Sequence, residues 1–350
     1  MAKLITLVKK DWFRRGMGAF FTALVAYMAA AAPLFAQRRD SVVEVKLASI
    51  IPDNTDWSRA LDRLAKEWYN ASNGQVVVSV YHGGQLGSAE KDILRKLKGN
   101  TIQAAVFTSA GLSLIAPETL TLSAPFFIRN DNELNYVLNA VKDDLENKIN
   151  KDYFMLAWAK SGWLKIFSRN PVRVPADLKP QIIGSLNEIP VMNAAFKSMG
   201  FQIQMADFNS IIISLNSGKI DAVYQTPAYA APAQIFGIAK NMMDLNIAPI
   251  MGGVVINQQT WKRINDAYKP RLLAIVKEIE REFDGAVSKL ESEAIQVMSK
   301  NGLNVIPLTP AQEQTWYNEI GSKIPALAND KIFNRSLYNK ISSLLQDYRK

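Results

Sequence analysis

Apolar and polar positions fall in blocks along this chain, and the period changes from block to block. Val42 to Ile50 (VVEVKLASI) and Gln75 to Tyr81 (QVVVSVY) carry the β-branched, partly alternating pattern of strands. Between them Leu61, Leu64, Ala65 and Trp68 stand at i, i+3, i+4 and i+7, the buried face of a helix. A short helix is expected over Glu90 to Lys98, stopped by Gly99, and a third strand over Ile102 to Phe107 (IQAAVF). This opening is β-α-β-α-β, half of a doubly wound unit. Thr108 to Ile128 is apolar but broken by Pro117 and Pro125, so it reads as irregular. A helix follows over Asn130 to Asn150. Tyr153 to Lys160 and Trp163 to Ser168 read as strands, with Gly162 between them as a candidate hinge or crossover.

The stretch from Pro171 to Pro227 repeats the alternation. Two β-type runs lie around Ile182-Ile183 and Ile220 to Val223, with helical patterns over Asn187 to Met199 and Asn209 to Asn216. Each helix stops at a glycine, Gly200 or Gly218, as a left-handed C-cap requires. Such a unit has parallel strands and binds ligands at their carboxyl ends. Those ends fall at Gly184-Ser185-Leu186 and Val223-Tyr224-Gln225. Pro227 to Ala239 is helical in part, and Met251 to Asn257 (MGGVVIN) is a further strand returning to the first domain. Arg271 to Lys300 is one long helical pattern. At 1.5 Å per residue it would span about 45 Å, more than one small domain. Two last helices are expected, over Pro310 to Ile320 and Asn334 to Tyr348. The fold class is therefore α/β, with a helix long enough to straddle two domains. The expected bounds are 41–163 plus 250–290 for the first domain and 164–249 plus 291–350 for the second.

The chain has 350 residues, 48% hydrophobic and 21% charged, enough for two α/β domains. Its first residues read differently. Lys3, Lys9, Lys10, Arg14 and Arg15 form a basic head, Ala19 to Ala32 is an apolar run, and Leu34-Phe35-Ala36 precedes Gln37. Residues 1–36 are read as a secretory signal peptide cleaved after Ala36, and the chain as periplasmic. An uncleaved inner-membrane anchor is the alternative, since Gly16 to Ala36 carries no charge. Removing five basic residues and one acid, Asp11, lowers the formal charge from +9 to +5. The remaining charges are interspersed, a solvated surface and not a nucleic-acid footprint.

Inventory excludes most catalytic chemistry. His82 is the single histidine and there is no cysteine, which removes His/Cys metal cages and cysteine nucleophiles. There is no G-x-S-x-G elbow, P-loop or G-x-G-x-x-G. His82-Gly83-Gly84 looks like part of an esterase oxyanion loop, but without an elbow it reads as a β-to-α turn. A binding protein is expected, not an enzyme, with no cofactor and no metal.

The run GQVVVSVYHGGQLGSAEKDILRKLKGNTIQAAVF resembles the signature of the periplasmic solute-binding subunits, the DctP type, of TRAP transporters. Leu86-Gly87 and the spacing to Gly99 match. LSAPFFI (Leu122 to Ile128) is similar to the family's Leu-Pro-Phe segment, and PVRVPADLK to the segment introducing the second domain. In MGFQIQMADFNSIIISLNSGKIDA, Phe208, Leu215, Gly218 and Asp221 fall where the family has fixed types. The resemblance implies a two-domain α/β periplasmic solute-binding fold with a cleft between lobes and a long helix spanning both, closure over a small ligand, and delivery of that ligand to a TRAP membrane permease.

Against that pattern the clamp residues differ. The family's carboxylate-holding arginine follows "DLKGLKI"; here DLKPQII is followed by Gly184. Leu164 stands where a second arginine is found, Gln225 matches an asparagine, and Thr108 a polar residue after the third strand. An unpaired carboxylate in such a cleft would cost several kcal/mol, whereas an apolar one gains roughly 25 cal/mol per Å² buried. A small apolar or amphipathic ligand is therefore expected, lined by Ile51, Thr108, Phe126, Trp163, Leu164, Gly184, Leu186, Phe208, Ile211, Tyr224 and Gln225. Leu186 and Ile211 fit an ordinary core equally well. The alternatives are a conventional organic-acid binder using a displaced cation (Lys165, Arg169 or Arg173) and a secreted scaffold without ligand. Absence of the clamp also suggests a variant system with a helical-repeat (TPR) periplasmic partner.

Overall fold

The computed structural model describes residues 42–186, 190–330 and 332–350, without the side chains at 190–192 and 208–209. The signal peptide expected at 1–36 and the start of the helix expected from Asn187 lie outside these residues. Eleven strands are present among them: β1 (Val43–Ala48), β2 (Val76–Tyr81), β3 (Ala104–Thr108), β4 (Tyr153–Trp163), β5 (Lys165–Ser168), β6 (Ile182–Leu186), β7 (Gln202–Ala206), β8 (Ala222–Gln225), β9 (Asn241–Met243), β10 (Pro249–Asn257) and β11 (Asn304–Ile306). The longer helices are α1 (Asp56–Ala71), α2 (Glu90–Lys98), α3 (Asp131–Ile149), α4 (Pro190–Ser198), α5 (Phe208–Asn216), α6 (Lys269–Lys300), α7 (Pro310–Gly321) and α8 (Arg335–Tyr348).

The strands form two mixed sheets, ordered β2-β1-β3-β10-β4 and β11-β9-β5-β8-β6-β7. In the first, β1 pairs in parallel with β2 and β3, as the opening β-α-β-α-β pattern requires, and β10 is antiparallel to β3 and β4. In the second, β6 lies in parallel between β7 and β8, with β5 antiparallel to β8. The chain passes from the first sheet to the second between Trp163 and Lys165, and returns between Met243 and Pro249. It crosses a third time along α6. Leu272, Ile275 and Val276 at the start of this helix pack with Val43, Val45 and Ile256 of the first sheet. Met298 near its end packs with Phe167 and Met242 of the second. One long apolar stripe thus serves two cores, which is why its pattern outruns a single domain.

Thr55 caps α1 by accepting from the Ser58 backbone, Asn130 caps α3 through Glu133, and Asp207 caps α5 through Ser210. Gly200 and Gly218 hold φ of +88° and +74°, the expected left-handed helix ends. Trp163 belongs to the end of β4 and not to the start of the next strand. β7, β9 and β11 were not legible in the pattern. β4 is an edge strand, and α6 covers that edge. Glu280 Oε1 accepts from the Trp158 backbone N–H at 2.8 Å, and Glu291 Oε1 from that of Trp163 at 2.8 Å. Two carboxylates thereby satisfy donors an open edge would leave unpaired.

The same covering has a pH signature. Burial, reinforced by Asp284 and Glu146, pushes the Glu280 carboxyl up from 4.5 to about 7, against the Trp158 hydrogen bond. The native state then binds the extra proton between those pH values, so this group's contribution is complete below about pH 4.5 and is lost as pH rises through 7. A carboxyl displaced this far corresponds to roughly 3 kcal/mol, which partial exposure to solvent reduces to about 1–2 kcal/mol. Glu280→Gln keeps an acceptor for Trp158 and removes the charge. It should stabilise the protein by about 1–2 kcal/mol at pH 8 and leave it unchanged at pH 4. Equal unfolding midpoints for the two proteins at pH 8 would refute this.

Candidate functional site

The carboxyl ends of β6 and β8 open onto a cavity of about 210 Å³. The second sheet contributes Gly184, Ser185 and Leu186 from β6, Val223, Tyr224 and Gln225 from β8, and Leu164 from the crossing. α5 adds Ile211 and Ile212. From the first sheet come Thr108 at the end of β3, and Pro249 and Ile250 at the start of β10. The short helix Ser109–Ser113 and the 3₁₀ turn Pro117–Ser123 supply Ser109, Ala110, Ser113, Leu120 and Ser123. The cavity therefore lies between the two sheets, at the strand ends where an α/β ligand is expected.

Of the candidate residues, Thr108, Leu164, Gly184, Leu186, Ile211, Tyr224 and Gln225 are brought together here. Ile51, Phe126 and Trp163 are elsewhere. Ile51 packs against the core of the first sheet. Phe126 is 3% exposed and stacks on Trp316 with ring centroids 5.1 Å apart. The Trp163 indole N–H donates to Asp131 Oδ1 at 2.8 Å and lines a neighbouring, more polar hollow with Lys165 and Glu291. The side chain of Phe208 lies outside the described residues. Ser185, Ile212, Ile250 and Phe333 are lining residues that the motif comparison did not single out, although Ser185 sits within the strand-end triplet.

No charged side chain lines the cavity among the described residues. The displaced cations are engaged or remote. Lys165 Nζ is 2.9 Å from Asp244 Oδ1, Arg169 donates to the Leu215 carbonyl, and Arg173 is exposed on the loop before Pro175. Gly184 stands where an arginine was considered, and its surroundings are closed. A Cβ placed there would lie 2.4 Å from Ile220 Cδ1 and 3.2 Å from Ile211 Cγ2. Ile220 is fully buried, so it has little room to withdraw.

Polar atoms in the lining are held by neighbours. Ser185 Oγ, Tyr224 Oη and Asn193 Oδ1 meet in one buried cluster, and Asn193 Nδ2 donates to the Leu186 carbonyl at 2.8 Å. That carbonyl can only accept, so it fixes the Asn193 amide with its oxygen toward the hydroxyls. Burial pushes the Tyr224 phenol well above its ordinary range, despite the Ser185 contact. It stays neutral, with its ring stacked on Phe196 at 5.4 Å.

Residues 47–331 match the family described as "Bacterial extracellular solute-binding protein, family 7", DctP. The chain belongs to this family. Among curated relatives, a solute-binding protein from Verminephrobacter eiseniae (strain EF01-2) is 28% identical over 171 residues. That match takes in 48% of this chain and 50% of the relative, so the chain spans about half of that protein's length. Among solved structures, a TRAP periplasmic solute-binding protein from Sulfurospirillum deleyianum with bound succinate superposes with a TM-score of 0.74. It is 21% identical and covers 87% of this chain and 99% of its own. One from Chromohalobacter salexigens with bound D-glucuronate gives 0.76 at 16% identity, over 86% and 99%. At these identities the structural likeness shows the fold, and this family 7 protein has the two-lobed architecture expected of it.

Proposed function

We propose that this chain is the extracytoplasmic ligand-capturing subunit of a TRAP-type secondary transporter. It takes a small molecule into the cavity between its two sheets and hands it to a membrane permease. The observation that carries the reading is the cavity itself, built by residues of both sheets at the carboxyl ends of β6 and β8. Family membership supports it. An organic acid leads as the ligand class, because the solved relatives hold succinate and D-glucuronate. Lys165 is then the first cation to consider, since it follows Leu164 in the chain and pairs in register with Gln225. A second reading, a neutral apolar or amphipathic molecule, is favoured by the lining, which brings no formal charge to meet a carboxylate.

The two separate in one experiment on the exported chain. Thermal unfolding is followed with succinate, D-glucuronate, branched keto acids and uncharged apolar compounds, alongside native mass spectrometry of the purified protein. A rise of several degrees with one acid, lost in Lys165→Met, establishes the first reading. A retained uncharged molecule with no response to acids establishes the second. A bare mass spectrum together with no response to any compound overturns ligand capture.

A further inference from the structure

The hydroxyl protons around the cavity all point away from it. Thr108 Oγ1 donates to Glu90 Oε2 at 2.8 Å, Ser109 Oγ to the Met251 carbonyl at 2.6 Å, and Ser123 Oγ to the Pro249 carbonyl at 2.9 Å. Ser113 Oγ donates to the Ala110 carbonyl at 2.6 Å. Ser185 and Tyr224 have two protons between them for three close contacts, one to each other and one each to Asn193 Oδ1. Both protons stay within that triangle, because each is needed to make it attractive. Ser185 is 2% exposed, Asn193 1% and Tyr224 7%, so no bulk water competes for them. What these two oxygens have left to offer is lone pairs.

The side-chain donor inventory ends with one group. Gln225 Oε1 accepts from the Thr226 backbone N–H at 2.8 Å, which fixes the orientation of its amide. Its Nε2 is the one side-chain donor of the described lining that is not committed within the protein. We infer that the Ser185–Tyr224 pair is an acceptor-only subsite that binds a hydroxyl group of the ligand, with Gln225 Nε2 the side-chain donor for a ligand oxygen. The ligand class is a compact, mostly apolar molecule bearing a hydroxyl. If the ligand is an acid, it is a hydroxy acid whose carboxylate lies away from this pair, since two lone-pair oxygens repel an anion. This rests on the cavity being the capture site, and it adds the feature by which the cavity selects.

The physical basis is the asymmetry of hydrogen bonding. A ligand that donates into the pair replaces its bond to water. A ligand that presents its own acceptor instead meets lone pairs that repel it, and a methylene leaves the remaining lone pairs of the two oxygens unused. The test uses matched pairs differing in one hydroxyl: L-malate with succinate, 2-hydroxyisocaproate with isocaproate, and benzyl alcohol with toluene. Affinities are measured by titration calorimetry on the exported chain and on the Tyr224→Phe and Ser185→Ala variants. Tyr224→Phe keeps the ring on Phe196, and the second variant guards against a failure of the first to fold. The hydroxylated member of a binding pair should bind at least tenfold more tightly. Each variant should cut that preference at least threefold, by weakening the hydroxylated member more than its deoxy partner. A purely packing role would weaken both members together. Equal affinities within the binding pairs, or a preference that survives both variants, overturns the subsite and leaves the capture site standing. If no member of any pair binds, the subsite is overturned, while the capture reading is decided separately by the retained molecule and the wider panel above.

Discussion

Trp316→Ala is expected to remove about 3–5 kcal/mol of stability, the largest loss anticipated for any single substitution considered in this chain. Trp316 lies on α7, far along the chain, yet it is fully buried. Its ring stacks on Phe126 at 5.1 Å and on Phe201 at 6.4 Å, and its indole N–H donates to the Arg173 carbonyl at 2.9 Å. Three distant segments meet on one side chain: the stretch after the 3₁₀ turn Pro117–Ser123, the residue before β7 and the loop between β5 and β6. Truncation deletes the stacking and leaves a cavity that none of these segments can fill, as each is anchored elsewhere. Trp316→Phe retains most of the stacking and orphans only the Arg173 carbonyl, so about 1–2 kcal/mol is expected. Denaturant unfolding of the protein gives both values. An alanine variant within 1 kcal/mol of the parent would show that the aromatic cluster does not hold these segments together.

That cluster also explains what the sequence could not tell. Phe126 falls in a segment resembling a family motif and was a reasonable lining candidate. Its backbone, however, adopts φ +58° and its ring is spent on Trp316, a partner nearly two hundred positions away in the chain. Trp163 was displaced from the cavity for an electrostatic reason. Burial alone would push Asp131 up, but hydrogen bonds from Lys160 and Trp163 outweigh it and hold the carboxylate below its ordinary range. An ionised acceptor binds the indole N–H more strongly than a neutral ligand would. By contrast, the placing of Gly184 to Leu186 and Val223 to Gln225 at strand ends beside the cavity was legible, because strand ends follow from local periodicity. The contributions of Ile250 and Phe333 follow from neither, since they arrive by tertiary packing. Among the elements, β7 (QIQMA) escaped notice because it is an outer strand of its sheet with no fully buried position, so no apolar alternation marks it. β9 and β11 are three residues each, too short for a period to show. Gly162 was legible as a crossover for a reason that can be measured.

Gly162→Ala should cost about 3 kcal/mol, through two effects that separate by mutation. Gly162 precedes the residue at which the chain leaves the first sheet, and its φ is +116°. An L-residue held there costs about 1–2 kcal/mol from backbone crowding. The added methyl also has nowhere to go. Its Cβ would stand 2.5 Å from Glu291 Oε1, 2.9 Å from Glu291 Cδ and 3.3 Å from Thr226 Cγ2. Glu291 is 8% exposed, and its carboxylate is the acceptor for the buried Trp163 N–H. Displacing it orphans that donor, which adds about 1–3 kcal/mol. Glu291→Ala removes both the obstacle and the acceptor. In that background the glycine substitution should cost only the backbone term. The double variant is then less destabilised than the two single changes combined, by about 1–2 kcal/mol. Simple additivity across this cycle would mean that Glu291 does not close on Gly162. In that case the long helix would not brace the crossing between the two sheets at this point.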